Sequence, residues 1–161
     1  MRSDKRLWRR CRRLVDGLDL PRPFDTAEFI ARLAEDRDRP IELVPVTARP
    51  HLPCGLLVTT DRADRILYPA DTTPLHQRHI QLHEAAHLLC GHHETSGAAA
   101  SAVEVLLPHL PPALVRRVLG RTVYTEPQEE EAELVASLIL SRAALADPEQ
   151  TRLRSLFGPA R

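Results

Sequence analysis

The stretch QRHIQLHEAAHLLCGHHETSG, residues 77 to 97, carries five of the chain's eight histidines between His79 and His93. Within it His83, Glu84 and His87 spell HExxH. On a helix, residues four apart differ by about 40° in direction and about 6 Å in height, so both imidazoles can reach one tetrahedral cation from the same face. Glu84 lies beside that face, where it can take a proton from water activated by the ion. These residue types at this spacing are what hydrolytic zinc chemistry requires. A catalytic ion also needs a third protein ligand and one open position.

The third ligand has several possible sources. His76 and His79 continue the stripe of His83 backwards, but a straight helix sets His79 and His87 about 12 Å apart, too far to share an ion. His79 is therefore expected to line a cleft. Cys90 sits near the stripe and reads as a small buried residue, the usual state of a free cysteine. His93 completes the metzincin spacing, yet Cys90 stands where that pattern has glycine, and Met1 is the only methionine available for a Met-turn. His92 and His93 accordingly read as a loop. The remaining source is EPQEEEAELVASLIL, some forty residues on. Its acids suit a helix N-terminus, and Glu126, Glu130 and Glu131 are assigned to the helix dipole alone. Glu129, Ala132 and Glu133 form E-x-x-A-E, which resembles the second helix of gluzincin peptidases. That likeness assigns Glu129 to the metal and Glu133 to the far nitrogen of a ligand histidine. The choice of Glu129 over Glu130 or Glu131 rests on the spacing to Ala132.

With HEAAHLLCGH and EEEAELVASLIL in this order, residues 20 to 145 resemble the ImmA/IrrE family of metallopeptidases. The resemblance implies a small gluzincin-like α+β zincin fold. It also implies Zn2+ or another divalent ion on His83, His87 and Glu129, with Glu84 as general base. The implied function is a zinc-dependent endopeptidase that regulates transcription by cleaving a separate helix-turn-helix repressor or antitoxin-like partner. A second reading is a metal-containing regulatory or toxin-antitoxin module that docks a transcription factor without proteolysis. Where the family commonly has Gly, Asn or Asp, Phe, and Met-Pro, this chain has Ala86, Glu133, Val135 and Leu140-Ser141. Proteolysis further requires a donor to the developing oxyanion, for which Tyr124 and His79 are the candidates.

The elements that must hold these residues are legible in outline. At 161 residues with 43% hydrophobic and 4% aromatic content, one aliphatic core and one domain are expected, residues 1–146, with a loosely held tail over 147–161. Zero formal net charge removes any whole-chain attraction to nucleic acid or membrane. Three widely spaced cysteines argue against a disulfide scaffold, and the absence of a signal-peptide core points to the cytoplasm.

Leu7, Cys11, Leu14, Val15 and Leu18 form a helical stripe, so a basic amphipathic helix is expected at about 4–18. Asp25, Glu28, Phe24 and Phe29 predict a capping box and hydrophobic staple for a second helix. IELVPV, CGLLVTT and DRILYP read as strands forming a short antiparallel sheet or hairpin ahead of the HExxH helix, with Pro45 confining the first to an edge. Thr73-Pro74 opens a helix running to about Cys90. ETSGAAASAVEVLLPHLPP reads as a loop, Pro112 to Leu119 as a short helix stopped by Gly120, and the acidic segment as a long buried helix.

Overall fold

In the computed structural model, the described residues are 2–48, 54–60, 62–92, 115–120 and 124–147. They form α1 (Arg2–Asp16), α2 (Thr26–Asp36), β1 (Ile41–Val46), β2 (Leu56–Thr60), β3 (Asp64–Pro69), α3 (Pro74–Leu89), β4 (Val115–Gly120) and α4 (Glu126–Ala146). The protein is a small α+β structure. His93, the small-residue segment 94–112 and the tail beyond Asp147 lie outside the described residues.

Local sequence explains where the helices begin. Asp25 accepts the Glu28 backbone N–H at 2.8 Å, and the Phe24 and Phe29 rings meet with centroids 6.1 Å apart. Glu28 gives its carboxylate to Arg32 at 2.6 Å. Thr73 accepts from the His76 N–H, with Pro74 in the first turn of α3. At the start of α4, Gln128 Oε1 accepts the Thr125 N–H at 3.0 Å.

The sheet order is β1-β3-β2-β4. β2 and β3 form the expected hairpin, in which the Thr60 hydroxyl accepts the Ala63 N–H. β1 runs parallel to β3, so the sheet is mixed rather than purely antiparallel. Pro45 does fall on an edge strand, where its missing N–H costs no ladder bond.

The short helix expected over 112–119 is overturned. Its described part, 115–120, is β4, antiparallel to β2 with Leu57 opposite Leu119 and Val58 opposite Val118. Two turns of helix are marginal alone, whereas β2 presents a row of backbone donors and acceptors that a Val-rich segment can pair.

α3 lies between the sheet and α4, and every residue from Ile80 to Leu88 is buried. Ala85, Ala86, Ala132 and Ala136 are fully inside, and side chains this small let neighbouring helix axes approach closely. α1 packs on α4 through the buried Cys11 and Val15. Arg142 of α4 ties down the C-terminal end of α1 by donating to the carbonyls of Val15 and Leu18, where a cation also complements the helix dipole.

Asp64, fully buried at the start of β3, lies 3.1 Å from both Arg37 and Arg39. It pins the α2–β1 connection to the hairpin. Removing one member of a buried ionic cluster strands the others, a cost of about 3–5 kcal/mol; both arginines keep some solvent contact, which favours the lower end. Asp64→Ala should therefore lower the unfolding free energy measured in urea by about 3 kcal/mol at unchanged m-value. A shift below about 0.5 kcal/mol would show that water already screens the cluster.

Candidate metal centre

α3 and α4 face each other across the core, and their facing side chains build the site. His83 and His87 point their Nε2 atoms at one another, 3.1 Å apart. Glu129 closes the group, with carboxylate oxygens 3.1 Å from His83 Nε2 and 3.9 Å from His87 Nε2. A tetrahedral ion with bonds of about 2.0–2.1 Å separates its donors by about 3.3 Å, close to the 3.1 Å from His83 Nε2 to both His87 Nε2 and Glu129 Oε2. Two imidazole nitrogens and a carboxylate oxygen also form a donor set suited to a divalent ion. These residues could hold a metal. His83 and His87 are at most 2% exposed, whereas the Glu129 side chain retains 23%. Solvent therefore approaches from the Glu129 side, where a cleft of about 610 Å³ is lined by His76, His79, His83, Glu129, Glu130 and Glu133.

Glu84 is buried at 1% exposure, its side chain turned toward the start of β2. A Cβ added at Gly55 would lie 2.5 Å from Glu84 Oε1 and 2.6 Å from Ile80 Cγ2. Glycine at 55 is thus what lets the strand close on this carboxylate. Nothing in the run CGLLVTT marks Gly55 out, because its contact lies across the fold. Gly55→Ala should displace Glu84 or push β2 outward, with a stability loss of about 1–3 kcal/mol in urea unfolding. An unchanged midpoint would mean that Glu84 can move aside at no cost.

Glu133 lies one turn after Glu129, with a carboxylate oxygen 3.3 Å from His83 Nδ1. This is the far nitrogen of the histidine, the one that the gluzincin likeness would give to Glu133. The same carboxylate also lies 3.2 Å from His79 Nε2, so His79 lines the cleft and meets Glu133 rather than the His83–His87 pair. Tyr124 is stacked on the His87 ring at 3.5 Å and 7°. It holds the plane of that imidazole, and only 7% of it is exposed.

Two residues assigned to bland roles prove central. Gly91 adopts φ +74° just beyond α3, a conformation open to glycine, and turns the chain back. His92 is thereby buried beneath His87, with the two Nδ1 atoms 2.9 Å apart. The expectation that His92 belongs to an ordinary loop is corrected accordingly. Glu131, expected to serve only the helix dipole, is 6% exposed, accepts from Arg10 of α1 and lies 3.2 Å from His92 Nε2. Cys90 completes a second group with His92 and Glu131. Burial, Glu131 and Cys11 push its thiol up to about 12, so it stays protonated and a poor ligand or nucleophile at neutral pH. Glu126 and Glu130 are exposed, in keeping with a helix-terminus role.

No family model, curated protein or solved structure matches the chain.

Proposed function

We propose that the protein is a zinc-dependent endopeptidase of the ImmA/IrrE type with a gluzincin-like fold, acting on a separate helix-turn-helix regulator or antitoxin-like partner. The observation that carries this reading is the convergence of His83, His87 and Glu129 from two helices, with one potential ligand atom of each within 4.8 Å of the others, beside the glutamate of the same HExxH. Zinc, when bound, supplies Lewis acidity that makes water a nucleophile near neutral pH and polarises a peptide carbonyl.

The protein's own residues do the rest. Glu84, enclosed between α3 and β2, accepts the proton of the attacking water and returns it to the departing amine. Its burial gives it one environment, so no reorganisation is needed when the proton moves. Glu133 holds His83 from behind and Tyr124 holds the plane of His87. The cleft between α3 and α4 admits the substrate, and its glutamates favour a peptide with basic residues flanking the cut. His79, on the cleft wall beside Glu133, is the residue placed to donate to a developing oxyanion. Among the described residues no helix is long and apolar enough to cross a membrane; with reduced, dispersed cysteines we take the cytoplasm as the site of action. The neutral overall charge supports a protein partner over direct binding to nucleic acid.

The test is to incubate purified protein carrying one equivalent of zinc with helix-turn-helix regulators from the same genome, with and without a chelator. Cleavage that the chelator stops is expected. Stable binding without cleavage in both conditions would replace this reading by that of a docking module.

A further inference from the structure

The buried chain of side chains behind His87 has a direction. As a carboxylate Glu131 can only accept, and Arg10 of α1 donates to it. Its neighbour His92, 3.2 Å away through Nε2, must therefore carry its proton on Nε2. A neutral imidazole protonated there has a lone pair on Nδ1. That lone pair faces His87 Nδ1 at 2.9 Å, so His87 must donate from Nδ1. The same rule then leaves His87 Nε2 as a lone pair, aimed at His83 Nε2 and Glu129.

We propose that Arg10, Glu131 and His92 are positioning residues that set the tautomer and orientation of His87, making its Nε2 a ready metal donor. The inference rests on the metal reading of His83, His87 and Glu129. It gives a reason for the burial of an acid in the first turns of α4 and for the fold-back of His92 at Gly91. The N-terminal helix, expected as a basic amphipathic helix, reaches the site through one of its arginines. It is held in register at its far end by Arg142 on the carbonyls of Val15 and Leu18. On the other histidine, Glu133 lies 3.3 Å from His83 Nδ1, an ion-pair distance rather than a hydrogen bond. The relay is enclosed by Tyr124, stacked on His87, and by Cys90, whose burial keeps its thiol protonated. Arg10 is the cation that this surrounding supplies to Glu131.

The test separates tautomer from metal. Long-range proton–nitrogen NMR on metal-free protein labelled with 15N-histidine, at mildly alkaline pH, should show His87 protonated on Nδ1. Glu131→Gln and Arg10→Gln should turn that signal into a tautomer mixture, and Arg10→Lys should restore it. Competition with a chromophoric chelator should show zinc affinity falling about 10–100-fold in Glu131→Gln, and less in Arg10→Gln. Arg10→Gln leaves the buried Glu131 without its cation, so urea unfolding is recorded beside it, and Arg10→Lys, which keeps the charge, is the folded control. A purely structural role would move the unfolding midpoint and leave the tautomer alone. His87 found protonated on Nε2 in the wild type, or a tautomer and zinc affinity unmoved by Glu131→Gln, would overturn the proposal. Failure of the wild type to bind zinc with His87 still protonated on Nδ1 would instead remove the metal reading and leave the relay standing.

Discussion

Glu84→Gln should leave zinc content and fold unchanged while lowering cleavage of the regulator by about 10²–10⁴-fold, the usual contribution of a general base. The substitution is nearly isosteric, which matters because Glu84 is 1% exposed and packed against Gly55 and Ile80. A smaller residue would open a cavity and confuse loss of the base with loss of packing. The amide cannot accept a proton from water, so the loss should appear in kcat. The metal group, made by other side chains, should bind zinc with wild-type stoichiometry. Metal analysis beside single-turnover kinetics decides the matter: a Gln variant that cleaves at the wild-type rate removes Glu84 from the mechanism. One that also loses its zinc would show that Glu84 holds the site together.

The second large effect is thermal. A ligand that binds only the native state, present at about one hundred times its Kd, stabilises by about 2.7 kcal/mol. For a chain of this size that corresponds to a rise in Tm of about 5–11 °C. Zinc should produce such a rise in the wild type and a chelator should reverse it. His83→Ala and His87→Ala should each abolish the rise. His87→Ala is also expected to lower Tm without zinc, because His87 is fully buried and stacked on Tyr124. The quantity to compare is therefore the difference with and without zinc in each variant, not Tm itself. An undiminished rise in both alanine variants would place the ion elsewhere, with Cys90, His92 and Glu131 as the group to test next.

Both predictions depend on elements whose visibility in the sequence differs. Asp25 with Phe24 and Phe29, and Thr73 with Pro74, announce their helices, because a cap is a contact between residues within one turn. The β2–β3 hairpin is equally local. β4 was not visible, since the bonds that make residues 115–120 a strand belong to β2, more than fifty residues earlier. Nor was the mixed character of the sheet, as β1 and β3 become parallel neighbours only when β2 folds away to the other side of β3.

The sequence by itself determined that His83, Glu84 and His87 occupy one stretch of one helix, and that Glu129 and Glu133 follow each other on another. Those relations are set by 3.6 residues per turn and survive any packing. Only the tertiary structure decided which acid of the run 129–131 faces the histidines and which turns back to Arg10, because that depends on how α4 is rotated against α3 and α1. It also decided that Glu84 needs a glycine opposite it, and that His92 stands behind His87. Such contacts are made between surfaces that do not exist until the layers close, and no spacing within either segment encodes them.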